Sequence, residues 1–378
     1  MKKPIYLDYN ATTPVDKRVL ETMLPYFTEN FGNASSRTHA FGWIADDAIK
    51  TSRKQVADLI NCVEQEIIFT SGATESINLA IKGVWDNYKT KGKHIITLKT
   101  EHKAVLDTCK ALEKKGAEIT YLSVGRDGLI DLQEFKNALT PQTILVAVMY
   151  ANNETGVIQP IQEIAKLTHT NNSILFCDAT QVIGKININV EEEHIDLMCL
   201  SGHKFYGPKG VGALYVRRKN PRVTLFPQMH GGGHERGLRS GTLNVTGIVG
   251  LGKACEIAKE EMWDDAGRIS KLRTRLEQVL GELPNVFING SVKNRLFNTT
   301  NICFSGMRSE KLIHKIPTVA VAMGSACAAA IAEPSHVLKA MGLSDDDSFS
   351  SIRFSLGKYT TIEEINEVIE NMIVNIHT

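Results

Sequence analysis

The chain has 378 residues, enough for one large and one small domain or two comparable ones, and enough to bury a core without disulfide or metal staples. Hydrophobic residues make up 43% and charged residues 22%, an ordinary globular balance, and a net charge of +1 gives no electrostatic reason to expect nucleic acid or an anionic membrane as the main partner. No apolar run is long enough to span a bilayer, and MKKPIYLDYNATTP has neither an apolar segment behind its two lysines nor the Arg-rich character of a transit peptide, so the expectation is a cytoplasmic chain that starts at Met1.

From about residue 66 to 216 short apolar runs alternate with helical patterns. EIIFT, HIITL, EITYL, TILVAVMY, SILFCD, IDLMCLS and VGALYV read as seven strands. Amphipathic stretches such as ESINLAIKGVWDNY, KAVLDTCKALEKKG and IQEIAKLTHT lie between several of them. Near-continuous apolar strands separated by helices predict an α/β unit with a mostly parallel seven-stranded sheet flanked by helices. The short loop between IDLMCLS and VGALYV predicts one hairpin.

A long helical pattern from about Ile248 to Leu283 follows and reads as a connector. Beyond it VFING, NICFSG, VAVAMG and SIRFSLG predict a smaller α+β unit, closed by a helix over Ile362–Ile376. The expected division is a large domain over 16–260 and a small one made of 1–15 and 261–378.

In an open α/β sheet ligands sit at the carboxyl ends of the strands. The chemically distinctive residues of this chain cluster there. SGATES follows EIIFT and opens a helix; its small residues, with Ala73 and Thr74, offer free N–H groups, a hydroxyl and a positive dipole end to a phosphate, or only a plain helix cap. TEHKAV places His102 after HIITL, where an imidazole can stack on a flat ring, carry a proton or cap a helix. YANNETG places Asn152 and Asn153 after TILVAVM, as ligand donors or turn formers.

SILFC ends in Asp178, a buried carboxylate that needs a cationic or N–H partner, such as a pyridinium nitrogen or a helix start. SGHKFYGPKG places Lys204 at the end of the next strand, where desolvation can prepare an amine for a Schiff base, with Ser201 and His203 as flanking donors. GGGHERGLRSGT, with Arg236, Arg239 and Thr242, reads as a surface loop or an anion site completed across a dimer.

Seven cysteines occur, with no C-x-x-C and no closer pair than Cys177 and Cys199, so neither a zinc knuckle nor a disulfide framework is supported. Six read as small buried hydrophobes. Cys327 differs: it lies in GSACAAAIA, a small-residue stretch ahead of EPSHVL, where a thiol can be exposed and reactive.

SGATES, TEHKAV, NNETG, DATQ, SGHKFYGPKG, GGGHERGLRSGT, GSAC, EPSHVL and IRFSLGKYTT occur in the order seen in cysteine desulfurases of the NifS/IscS type. These are class V aminotransferase-family members of the fold-type I pyridoxal-phosphate enzymes, and the resemblance runs from YLDYNATTP to the last helix. It implies pyridoxal 5'-phosphate as cofactor and L-cysteine as substrate, with sulfur passing to Cys327 as a persulfide and alanine released; selenocysteine cleavage or another class V reaction is the alternative.

The same resemblance implies that Lys204 carries the cofactor as a Schiff base and moves the α-proton. Asp178 pairs with the pyridine nitrogen, Gln181 with the ring hydroxyl, and His102 stacks on the ring. Ala73, Thr74, Ser201 and His203 hold the phosphate, with Thr242 reaching in from the second subunit of a homodimer. Asn153 and Arg353 hold the substrate carboxylate, and Asn33 of FGNASS lines the site. No resident metal is implied, although Cys327 would meet a nascent iron–sulfur cluster on a partner scaffold protein, the sulfur acceptor. This chain departs from the pattern in the alanine run after Cys327, in Ile77, and in ending at Thr378, where longer members carry a scaffold-docking tail.

Overall fold

The computed structural model describes residues 4–323 and 333–376. Strand β1 (Ile5–Tyr6) is followed by α1 (Lys17–Met23), α2 (Pro25–Thr28) and α3 (Ala40–Ile60). Strands and helices then alternate: β2 (Ile67–Thr70), α4 (Ala73–Tyr88), β3 (His94–Leu98), α5 (Lys103–Glu113), β4 (Glu118–Leu122), α6 (Leu132–Ala138), β5 (Thr143–Met149), α7 (Ile161–Thr170) and β6 (Ile174–Asp178). β7 (Leu197–Ser201) and β8 (Gly212–Val216) complete a seven-stranded sheet of order β2-β8-β7-β6-β5-β3-β4.

All seven strands expected from the sequence form, and β7 and β8 make the expected antiparallel hairpin. β8 is antiparallel to β2 as well. β2 and β7 therefore run the same way as β3 to β6, and only β8 is reversed. Every residue of β5, β6, β7 and β8 is buried, as continuous apolar runs demand when both faces are covered. The period-two alternation divides the core. Val146, Val148, Met198 and Leu200 pack with Val56 and Ile60 of α3, whereas Leu145, Ala147, Leu197 and Cys199 pack with Ile77 and Ile81 of α4 and Leu112 of α5.

Helix α8 (Val245–Gly281) runs 37 residues, about 55 Å at 1.5 Å per residue. Its first half contributes Leu251, Ala254 and Cys255 to the core on the α3 side of the large sheet; its last turns contribute Ile269, Leu272, Leu276 and Leu280 to a separate apolar cluster. That cluster also holds Ile5 and Leu7, so the first strand of the chain packs with the last third of it.

There β9 (Val286–Ile288), β10 (Thr299–Phe304), α9 (Ser309–Lys315), β11 (Val319–Ala320), β12 (Ala322–Met323), α10 (His336–Ala340), α11 (Asp345–Phe349), β13 (Ser351–Ser355) and α12 (Ile362–Ile376) form a second layer. VAVAMG, expected as one strand, is two: β11 pairs in parallel with β1, and β12 pairs antiparallel with β13. The chain changes sheets at Val321 because each half finds its backbone partners on a different strand.

The join between β8 and the start of α4 leaves no room for a side chain. A Cβ on Gly212 would lie 2.4 Å from the Leu200 carbonyl oxygen and 2.7 Å from the Gly72 Cα. Gly72, with φ +148°, is itself in a conformation that side-chain-bearing residues avoid. Gly212→Ala should destabilise the fold by about 2 kcal/mol or more, read as a lowered thermal midpoint; an unchanged midpoint would mean that this contact is looser than described.

Candidate active site

The carboxyl ends of β2, β3, β5, β6 and β7 share one edge of the sheet, and the loops there carry the chemistry. Asp178 ends β6 and is buried; its Oδ1 accepts hydrogen bonds from the Thr180 amide at 2.9 Å and the Cys199 thiol at 3.3 Å. Neither donor is a cation. Ser201 ends β7, and its Oγ lies 3.5 Å from where a Cβ on Gly72 would sit, so this hydroxyl adjoins the first turn of α4. That turn, from Ala73 and the exposed Thr74 onward, offers amide groups that have no partner within the helix.

Lys204 follows Ser201 by three residues. Its Nζ donates to the carbonyl oxygens of Asn10 at 2.7 Å and Ala11 at 2.8 Å. Gln181 donates from Nε2 to the same Asn10 oxygen at 3.1 Å, while its buried Oε1 has no hydrogen-bond partner among the described residues. His203 turns its Nδ1 to the Thr12 hydroxyl at 3.1 Å; desolvation, reinforced by Lys204 and Lys209, pushes its pKa down to about 4. The ring is therefore neutral at pH 7.

His102 caps α5, its Nδ1 accepting from the Ala104 amide at 3.1 Å. Desolvation lowers its pKa; Asp178 opposes the shift, and Lys204 and His336 add to it, which places all three groups within electrostatic reach of one imidazole. The capping and ring-facing readings of His102 are thus compatible, because the cap uses only one ring nitrogen.

Arg353, in the middle of β13, is 8% exposed. Its Nη2 pairs with Asp8 at 2.6 Å and its Nη1 donates to the Asn153 carbonyl oxygen at 2.9 Å, but its buried Nε has no partner among the described residues. Asn33 and Thr242 are exposed and sit away from these residues' hydrogen bonds: Asn33 accepts from the Ser35 amide, and no hydrogen bond joins Thr242 to the α4 turn of its own chain among the described residues. Their two loops are joined by His234, whose ring nitrogens bond Ser35 Oγ at 3.1 Å and the Gly241 amide at 3.2 Å. Cys327 lies outside the described residues.

The donor set fits pyridoxal phosphate. Gln181 Oε1 is an orphaned buried acceptor, Arg353 Nε an orphaned buried donor, and Gly72 leaves open the space beside Ser201 that a side chain would fill. Residues 5–368 match the model of the family described as aminotransferase class-V. The protein called cysteine desulfurase IscS from Haemophilus influenzae is 56% identical over 98% of this chain and 92% of its own length, and that of Anaeromyxobacter sp. 54% over 99% and 92%. The chain belongs to the cysteine desulfurases of the class-V aminotransferase family. Among solved structures, a NifS-like protein matches with a TM-score of 0.91 and 39% identity over 98% of both chains, and DndA from Streptomyces lividans with 0.80 and 40% over 91% of this chain and 97% of that one. Enzymes of this family depend on pyridoxal phosphate in general.

Several residues around the site carry no sequence signal of their own. Asn10, Ala11 and Thr12 meet Lys204 and His203 only because the N-terminal segment crosses the sheet edge. Glu235, within the Gly-rich loop, is buried, accepts from the Phe69 amide at 2.8 Å and pairs with Arg53 at 2.6 Å. Arg239 pairs with Glu75 of α4 at 2.8 Å, and Arg236 donates to the Ile67 carbonyl oxygen, so both arginines read as candidate anion ligands are engaged within the chain.

Glu101 is fully buried, accepts from the Met149 amide and is pushed well above the usual carboxylate range by desolvation; its backbone carbonyl accepts from His336 Nε2 at 3.0 Å. Glu154, of the NNETG stretch, accepts from Ser335 Oγ at 2.5 Å, and Ser335 caps α10 through the Leu338 amide. Thus β12 on one side and Ser335 on the other, the described residues that flank 324–332, are both tied to the neighbourhood of Arg353.

Desolvation raises the Glu154 pKa from 4.5 to about 7, against the Ser335 hydrogen bond and the Arg353 charge. A carboxyl that ionises later in the folded chain than in the unfolded one holds an extra proton between these values, so its contribution to stability falls as pH rises through the window. Glu154→Gln, which keeps the acceptor and cannot ionise, should gain on the parent by roughly 1–3 kcal/mol between pH 5 and pH 8. Paired thermal melts at the two values check this; a gap that does not change with pH would show that Glu154 ionises normally.

Proposed function

We propose that this chain takes sulfur from L-cysteine onto Cys327 and releases alanine, with Lys204 as the cofactor-binding and proton-moving amine. The single observation that carries the site assignment is the convergence of Lys204 Nζ and Gln181 Nε2 on the Asn10 carbonyl oxygen, with no partner for Gln181 Oε1 among the described residues.

The α4 first turn with Ala73 and Thr74, together with Ser201 and His203, would hold the phosphate. Asp178 would hold the proton of the pyridine nitrogen, Gln181 Oε1 would accept from the ring hydroxyl, and His102 would cover the ring. Bound there, pyridoxal phosphate supplies an electron sink for bonds at the substrate's α-carbon. Arg353 Nε, with Asn153, would bind the substrate carboxylate, and Asn33 would line the entrance. Lys204 Nζ, freed from the Asn10 and Ala11 carbonyls, would take the α-proton.

The Cys327 thiolate then attacks the substrate sulfur. The new S–S bond forms as the carbon–sulfur bond breaks, the carbon side keeps the electron pair and is protonated, and cysteine plus thiol gives alanine plus persulfide. The other six cysteines are poor candidates for this step: Cys109, Cys177, Cys199, Cys255 and Cys303 are buried, and desolvation raises the thiol pKa of all six.

Cys327→Ala should lose alanine formation from L-cysteine by at least about 100-fold while retaining the cofactor, and borohydride reduction followed by peptide mapping should place the label on Lys204. Alanine production that survives the substitution unaltered would remove Cys327 from the mechanism; an unlabelled Lys204 would remove the cofactor assignment.

We also propose a homodimer. Leu24, Phe27, Phe31, Phe41, Trp43 and Ile44 are exposed on α2, the start of α3 and their connection, an apolar face that water alone covers poorly. The Thr242 loop is hydrogen bonded to this connection through His234, which favours delivery of Thr242 to a partner's phosphate site. The double change Phe41→Glu and Trp43→Glu should yield a monomer in analytical sedimentation, and a persisting dimer would place the interface elsewhere.

The domain division at 16–260 against 1–15 with 261–378 is the working unit we assign. The sulfur acceptor we favour is an iron–sulfur scaffold protein, with Cys327 meeting the nascent cluster there. No helix among the described residues is long and apolar enough to cross a membrane; a cytoplasmic location is part of the proposal.

A further inference from the structure

Lys185 is a partly buried lysine that the chemistry above does not use. Its Nζ donates to the Gln181 carbonyl oxygen at 2.7 Å, and no carboxylate among the described residues lies within ion-pair distance of it. It lines a small, partly open pocket together with Lys204, Tyr9, Tyr206, Asp265 and Asn298. Asp265, the carboxylate on that wall, is bonded by Arg268 at 3.3 Å. A hydrogen-bonded path links the two amines: Lys185 Nζ to Gln181, Gln181 Nε2 to the Asn10 carbonyl oxygen, and that oxygen to Lys204 Nζ.

We propose that Lys185 is a positioning residue for Lys204, placing a second positive charge behind it that disfavours protonation of the Lys204 nitrogen, and fixing the Gln181 backbone from which the ring-hydroxyl acceptor projects. The inference rests on the cofactor assignment made above.

The chain favours a functional over a merely architectural lysine for two reasons. An architectural lysine drawn in from the open surface is ordinarily matched by a carboxylate, because an ammonium that gives up part of its water needs a counter-charge. Lys185 has a carbonyl partner instead, and desolvation, reinforced by the Lys204 charge, brings its own pKa down to about 7. The coupling is mutual: a charge at Lys185 that Lys204 opposes is a charge that opposes protonation at Lys204. The other titratable groups on the pocket are poor regulators. The phenols of Tyr9 and Tyr206 are raised by desolvation and stay neutral near pH 7, and Asp265 is raised by desolvation while Arg268 and Lys358 oppose the shift.

The test is a pH titration of the visible absorbance of the holoenzyme, whose band reports protonation of the nitrogen joining Lys204 to the cofactor. Lys185→Met removes the charge at similar length, and Lys185→Arg retains it. The Met variant should titrate about one pH unit higher than the parent, and the Arg variant within about 0.3 unit of it. Equal midpoints for parent and Met variant, or Met and Arg variants shifted together, would overturn the proposal, the second pattern marking a steric role. If the Met variant does not fold, the Arg variant together with Lys185→Gln, which keeps a donor for the Gln181 carbonyl but carries no charge, reads the same difference. Failure of the underlying assignment is recognised separately, because the parent protein would then show no cofactor band on Lys204.

Discussion

One asparagine in the N-terminal segment holds the site together. Asn10 is 1% exposed and uses nearly all of its hydrogen-bonding capacity across elements far apart in sequence. Its amide donates to Ser355 Oγ, its Nδ2 to Thr299 Oγ1 and the Asn153 carbonyl, and its Oδ1 accepts from Asn298. Its own carbonyl then receives Gln181 and Lys204. A buried polar network of this kind is stabilising only while every member is satisfied, since an orphaned donor or acceptor costs about 1–3 kcal/mol. The placement of Lys204 is therefore coupled to the packing of the last third of the chain against the sheet edge.

The neighbouring residues extend that constraint to Arg353. Asp8 takes one arm of Arg353, and the Asn153 carbonyl takes the other as well as Asn10 Nδ2. The guanidinium is held on two sides, and its buried Nε has no partner among the described residues. A fork fixed in this way loses little freedom when it binds a planar carboxylate, which favours affinity through preorganisation rather than through added contacts. Glu154 and Glu101 brace the same region from beneath. Their raised pKa values show the expense of burying carboxyl groups, tolerated because each anchors backbone or a helix cap: Met149 for Glu101 and α10 for Glu154.

Much of this architecture was legible in the sequence because it follows from local periodicity. Seven apolar runs became seven strands since a strand covered on both faces must be apolar throughout, and the helix at Ile362–Ile376 matched its pattern at both ends. VAVAMG reads as a single strand yet forms two, because pairing is decided by partners, which local pattern does not contain. The arginines of the Gly-rich loop read as possible anion ligands, but Glu75 occupies Arg239 and the Ile67 carbonyl occupies Arg236; a charge's partner is invisible until the fold brings it near.

The sequence by itself determined the order of strands and helices, the placement of Asp178, Ser201, Lys204 and His102 at or just after strand ends, and the family to which the chain belongs. These are properties of short stretches and of their spacing. Only the tertiary structure decided that Asn10 and Ala11 receive the Lys204 amine, that Asp8 braces Arg353, and that Lys185 shares a pocket with Lys204. Those contacts join residues separated by up to 345 positions, and hydrogen bonding at such separation is set by how whole layers pack rather than by any local propensity.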